Sequence, residues 1–336
     1  MTNWQWVLAE PVIGAPQCSN FALREFVVPS LGTGEVLVKV LYHTVAPGIR
    51  ARIGADTYAA KIEVGGIIPG MGVGIVQESR SKNFSEGERV VGQLAWATHA
   101  VVSEAEIKRV TNKHLDGLPP HTAIGSMGPS GLTAYFGMKR ILQVQKGDSV
   151  VVSSAAGAVG CVAGQIAKIL GCKVVGIAGT ESKCRELVER YSFDHALNYR
   201  DETPLSGEIR SFLPEGVDAY FDNVGGAVTD AVMDNMNDHG RIAVCGQTSE
   251  YNQNQPRGWR HTTAIITRRL NVQGFILFDF EKDFDSALDE LGGWIRTNQL
   301  KDEPNILIGI DMAAEGFVSQ FSANAPGKLL VQTDAG

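Results

Sequence analysis

No stretch of this 336-residue chain approaches the roughly 20 consecutive apolar residues that cross a bilayer. The first residues, Met1 to Pro11, lack a basic start followed by an apolar run, so no signal peptide is expected. Cysteine is scarce. There are five, Cys18, Cys161, Cys172, Cys184 and Cys245, and no two are spaced C-x-x-C. An odd, scattered set speaks against a disulfide framework and for a reducing, cytoplasmic setting. There is no long basic run, and the net charge is −7, which argues against nucleic acid or an anionic membrane as partner. The seven histidines never stand three or four residues apart, and none joins a cysteine in a ligand pattern. Zinc needs three or four ligands at regular spacing, so no metal site is expected.

What is present reads as a globular protein. Hydrophobic residues make up 44% and charged residues 20%. The length suits two domains rather than one core. The first part, 1–127, reads as short strands punctuated by Gly and Pro, among them 35–40, 70–76, 89–92 and 100–102, which suggests a partly open β-barrel. From Gly128 the pattern changes. Apolar strands at 149–152, 173–178, 196–198, 217–221 and 241–245 alternate with helical stretches at 158–170, 182–191 and 227–236. Alternation of this kind means a mostly parallel, doubly wound sheet covered on both faces. Residues 270–278 read as one more, long strand, and 283–297 as a helix. The domain therefore runs 128–299, and the tail 300–336 returns to strand character.

The strand Val150-Val151-Val152 runs into Ser153-Ser154-Ala155-Ala156-Gly157-Ala158-Val159-Gly160, and a helix follows. This is an A-x-G-x-x-G dinucleotide turn. Gly157 admits the backbone to the pyrophosphate, Gly160 packs helix on strand, and the helix N-terminus supplies amides to the anion. An NAD site usually ends its second strand in Asp or Glu. Here that strand ends in Gly179-Thr180, with Lys183 just beyond, where an ammonium suits a 2′-phosphate. The reading is NADP(H).

Five motifs then carry a resemblance. They are Gly131-Leu132-Thr133-Ala134-Tyr135-Phe136-Gly137, the run 155–168, Phe221-Asp222-Asn223-Val224-Gly225-Gly226, Cys245-Gly246 with Tyr251-Asn252, and Asn324 with Gly327-Lys328. The chain resembles the zinc-independent medium-chain dehydrogenase/reductases, in the group of leukotriene B4 12-hydroxydehydrogenase/prostaglandin reductases, alkenal double-bond reductases and curcumin reductase. The resemblance implies a GroES-like catalytic domain with a Rossmann domain, the C-terminal strand returning to the first. It also implies that Lys183 and Tyr199 hold the 2′-phosphate and that Asn223 lies near the cofactor ribose. Residues 245–251 and a strand Phe275-Ile276-Leu277 would line the nicotinamide, and Asn324 would close on the cofactor. Plainer roles stand beside these: Asn223 as a helix cap, Tyr199 as a loop aromatic, Asn324 as a turn residue.

Two departures concern the substrate. The family commonly has Asp-Pro-Tyr-Met-Arg where this chain has Ala46-Pro47-Gly48-Ile49-Arg50, and Gly-Met-Pro-Gly where it has Gly128-Pro129-Ser130-Gly131. The expected reaction on a small molecule is reduction of a carbon–carbon double bond beside a carbonyl. Tyr251 is the candidate catalytic residue, either donating to the developing enolate or only packing on the nicotinamide. An NADP-dependent alcohol dehydrogenase, a quinone reductase, and a cofactor-binding structural or sensor protein without turnover are the rival readings. A homodimer through the 270–278 edge is expected, as in similar proteins.

Overall fold

The computed structural model describes residues 3–54, 60–110, 112–250, 255, 257–321 and 328–334. The chain divides into two compact units, Met1–Gly125 with Glu303–Gly336, and Ser126–Asp302. In chain order the strands are β1 Asn3–Leu8, β2 Phe21–Phe26, β3 Glu35–Thr44, β4 Met71–Ser79, β5 Arg89–Gln93, β6 His99–Ser103 and β7 Ile107–Arg109. They continue as β8 Ser149–Ser153, β9 Lys173–Ala178, β10 His195–Asn198, β11 Val217–Asp222, β12 Met236–Val244, β13 Asn271–Gly274, β14 Asn305–Ile308 and β15 Leu329–Gln332. Among the described residues no helix is long and apolar enough to cross a membrane.

The first unit is the GroES-like domain. Its seven-stranded sheet has the order β14-β15-β3-β4-β5-β7, and β6 also pairs with β3. Period-2 alternation on β3 drives Val36, Val38 and Val40 to complete burial. Register shifts after Leu37 and Val40 then change the phase, so His43 and Thr44 are both buried. The hairpin β1–β2, which sequence patterning did not separate from its loops, lays Trp6 and Phe21 into a core with Trp96 and Phe317. Phe317 meets Phe21 and Trp96 edge-on, each at 5.5 Å between ring centres. The two indoles find acceptors in Ile310 O and Thr44 O, so their burial leaves no orphan N–H.

The second unit is a Rossmann sheet of six parallel strands in the order β10-β9-β8-β11-β12-β13. The middle strands are apolar throughout, with Val150, Val151, Val152, Val174 and Val175 fully buried, as a sheet covered on both faces requires. The strand order reverses between β8 and β11, and that reversal opens a crevice at their carboxyl ends. One expectation is corrected here. Residues 270–278 do not form a long strand: pairing covers only Asn271–Gly274, and a 3₁₀ segment follows at Leu277–Asp283. Two effects end the ladder. The Asp279 carboxylate accepts the Ile276 N–H at 3.3 Å, and Phe275 and Phe280 turn inward toward Phe221 and Phe136. Phe275-Ile276-Leu277 is therefore not a strand. Phe275 and Leu277 are half-buried, and Ile276 is exposed.

Candidate active site

Because the six strands are parallel, the turn after β8, the tips of β9 and β10, Asn223 after β11, Cys245-Gly246 after β12 and Phe275 after β13 all lie along one edge of the sheet. In the turn, Ser154 adopts a left-handed φ of 49° and the helix Gly160–Ile169 begins at once. Gly160 has no room for a side chain, since a Cβ there would stand 2.3 Å from the Ser154 carbonyl oxygen. Cys161 N donates to Gly157 O and Ala163 N to Val159 O, so the first helical turn is wound over residues 157–159. Val159 at the N-cap brings no acceptor of its own, and the positive end of the helix is left to an outside anion.

At the tip of β9 the chain passes under Tyr199. A Cβ on Gly179 would lie 3.0 Å from the Tyr199 ring, and Tyr199 N donates to Ala178 O at 3.1 Å. Thr180 caps the helix Glu181–Glu189, its hydroxyl accepting from Lys183 N at 3.3 Å. Arg200, which sequence reasoning overlooked, folds along Tyr199: Arg200 Nε donates to the phenol oxygen at 3.2 Å, and the guanidinium sits 5.4 Å from the ring centre. Asn198 builds this turn. It accepts from Arg200 N at 3.3 Å and donates to the Asp201 carboxylate at 2.6 Å. The Lys183 ammonium is held below its ordinary pKa, first by burial and then by the charge of Arg200, against the opposing pull of Glu186. Two cations and a phenol thus meet at one strand tip, an arrangement that suits a phosphate dianion.

Asn223 does not cap the helix that follows it. Its side-chain amide donates to Ser153 O at 2.8 Å, tying the end of β11 to the phosphate turn across the reversal point. Asp222 is the acid there: its Oδ1 accepts from Val224 N and Gly225 N, each at 2.9 Å. The Asp222 carbonyl oxygen accepts from Cys245 N and Gly246 N at 2.8 and 3.1 Å. Thr248 and Ser249 then hydrogen-bond the carbonyls of Asn223 and Val224. The loops after β11 and β12 are thereby laced into a single shelf. Burial, with the negative charge of Asp222 second, pushes the Cys245 thiol up to about 12, so Cys245 is a small apolar wall rather than a nucleophile.

Tyr251 and Asn324, with Asn252, Gly327 and Tyr58, lie outside the described residues. Gly48, in the other unit, is exposed, and a Cβ there would meet nothing within 4 Å. Among the described residues no three His, Cys, Asp or Glu side chains are grouped as a metal ion requires.

Known proteins are similar to this chain over both units. Residues 4–110 match the family model described as an N-terminal domain of oxidoreductase, and residues 158–292 the one described as a zinc-binding dehydrogenase. Prostaglandin reductase 1 of Bos taurus is 36% identical over 329 residues, covering 97% of this chain and 98% of the relative. The NADP(+)-dependent 2-alkenal reductase of Nicotiana tabacum is 34% identical over 337 residues, covering 98% and 97%. The chain belongs to the zinc-independent medium-chain dehydrogenase/reductases. Another member of that family, CurA of Vibrio vulnificus in complex with NADPH, superposes with a TM-score of 0.91 at 32% identity, over 99% of this chain and 100% of that one. The family likeness extends over both units, the one that carries the glycine turn and the cation pair included.

Proposed function

We propose that the protein is an NADPH-dependent reductase of the carbon–carbon double bond in α,β-unsaturated ketones or aldehydes. The observation that carries the cofactor choice is the meeting of Lys183, Arg200 and the Tyr199 hydroxyl at a strand tip that lacks the ribose-binding acid of NAD sites. In this reading those three groups hold the 2′-phosphate, and the helix end at Gly157-Ala158-Val159-Gly160 takes the pyrophosphate. Thr180 fixes Lys183 by capping its helix. Asn223, Cys245, Gly246 and the segment Phe275-Ile276-Leu277 border the nicotinamide ribose and ring, and Asn324 approaches from the tail. The relatives whose names specify 2-alkenal and prostaglandin reduction support the reaction class.

Bound NADPH supplies a hydride for the β-carbon of the substrate. The protein's part is to hold the enone flat, exclude water and stabilise the charge that grows on the carbonyl oxygen. Tyr251 is the residue we assign to that oxygen. A phenol is protonated at neutral pH and donates a hydrogen bond there, after which a proton at the α-carbon completes the product. The five free cysteines suit a cytoplasmic setting. The test is a substrate panel: NADPH oxidation with an enone, with a quinone and with no acceptor, beside NADP⁺ reduction with alcohols. Chelator-resistant turnover on the enone, lost in Tyr251→Phe, is the expected result. Turnover confined to alcohols or quinones refutes the reaction class.

A further inference from the structure

Asp222 is wholly buried at the carboxyl end of β11, in the middle of the site edge. Among the described residues each partner of its carboxylate is a neutral donor. Oδ1 faces the amides of Val224 and Gly225 and the Tyr220 hydroxyl at 2.9 Å, with the Ser153 hydroxyl at 3.3 Å, and Oδ2 receives the Thr229 hydroxyl at 2.6 Å. Ser153, Tyr220 and Thr229 are themselves wholly buried, so solvent does not screen this anion. A carboxylate buried among neutral donors keeps its charge unscreened, and these donors would be satisfied as well by a neutral acceptor such as an amide oxygen, so they do not by themselves call for a charge. Its field reaches the edge where the ring is expected. The Cys245 thiol is pushed up first by burial and then by the Asp222 charge, and the Tyr220 phenol is pushed up in the same order.

We propose that the Asp222 carboxylate acts at a distance on the bound nicotinamide, favouring its oxidised, cationic form and so making bound NADPH a stronger hydride donor. Two electrons and one hydrogen leave the cofactor as hydride for the substrate's β-carbon, and the ring left behind carries one more positive charge. NADPH and NADP⁺ otherwise share every group the protein touches. A fixed negative charge near the ring therefore appears as a difference between their two affinities. The inference rests on the cofactor assignment above. It is separate from the positioning done by Asp222's backbone carbonyl, which any residue at 222 retains.

The experiment measures the dissociation constants of NADP⁺ and NADPH by fluorescence titration of the whole protein, unmutated and as Asp222→Asn and Thr229→Val. The asparagine keeps an acceptor for the two amides and removes the charge, while the valine keeps the charge and removes one donor. In the unmutated protein NADP⁺ should bind at least as tightly as NADPH. Asp222→Asn should weaken NADP⁺ relative to NADPH by about fivefold, a rise of about 20 mV in the potential of the bound couple. Thr229→Val should leave the ratio in place while lowering thermal stability. A ratio unmoved by Asp222→Asn, or moved equally by Thr229→Val, overturns the proposal. Should Asp222→Asn fail to fold, the unmutated protein decides: NADPH bound much more tightly than NADP⁺ overturns it. If neither phosphorylated cofactor binds better than NADH, the cofactor assignment itself has failed.

Discussion

His43 offers a perturbation whose size follows from the structure. It lies on β3 opposite Gly72 and Val331, fully buried, its ring stacked on Trp96 at 6.1 Å between centres. Nδ1 is 3.5 Å from the Thr44 carbonyl, and Nε2 has no hydrogen-bond partner among the described residues. Burial lowers its pKa from 6.5 to about 4, with the Thr44 carbonyl opposing. The folded protein therefore binds this proton less readily than the unfolded chain. Above pH 6.5 the ring is neutral in both the folded and unfolded chain and no proton-linked penalty applies, and stability is lost as pH falls from there toward 4. At about 1.4 kcal/mol per unit the full gap is worth about 3 kcal/mol, of which about 2 kcal/mol is gone by pH 5. His43→Leu fills similar space and removes the titration. Urea unfolding at pH 7.5 and pH 5 should show the unmutated protein losing about 2 kcal/mol more than the variant between the two conditions. Near pH 7.5 the two should be comparable, because leucine also removes the unpaired nitrogen. Equal losses in both proteins would refute the reasoning.

Three further predictions concern the site and assembly. Lys183→Ala should weaken NADPH by about 1.5–3 kcal/mol while sparing NADH, and Arg200→Gln should weaken NADPH more modestly and flatten its salt dependence; equal NADPH affinity in all three proteins rejects the phosphate assignment. At Gly48, where the family resemblance implies a ring and a Cβ would meet nothing within 4 Å, the unmutated protein should prefer a bulky aryl enone over a short alkenal. Gly48→Tyr should reverse the ratio of the two kcat/KM values, and an unchanged ratio refutes the enlarged pocket. The edge strand β13, with Ile266, Ile276 and Phe278 exposed nearby, should pair two copies into a homodimer; a monomeric mass by light scattering at micromolar concentration contradicts this.

Features that depend on a few adjacent residues were legible in the sequence. The run from Val150 to Gly160 states strand, turn and helix in order, and the alternation at 35–40 states a half-buried strand. Features set by neighbours far along the chain were not. Arg200 reads as one more surface arginine until β10 pairs beside β9 and brings it to the Lys183 tip. Asp222 reads as part of a glycine motif, because its donors Ser153 and Thr229 lie in other elements. The run 270–278 misleads for a related reason. Its apolar residues serve two purposes, a short ladder and then a turn toward Phe221 and Phe136, and composition alone does not mark the change. Asn3–Leu8 finds its ladder partner across a loop of a dozen residues and bridges Ile67 and Ala97 still farther along, so nothing local announces the pairing.

The place of β15 has a consequence for synthesis. The Thr333 hydroxyl donates to the Val40 carbonyl across 293 residues of chain, and Leu329, Val331 and Phe317 complete the core begun by Trp6, Phe21 and Trp96. As the chain leaves the ribosome, the segment through Gly125 must wait while the whole of Ser126–Asp302 emerges with every strand of its own sheet in hand. The inner unit is thus free to fold first. Until the last strand arrives, the outer unit holds part of one edge of β3 unpaired, and with it an open aromatic cluster. That interval is when a nascent chain is most exposed to pairing with the wrong partner, and it ends only once β15 has emerged.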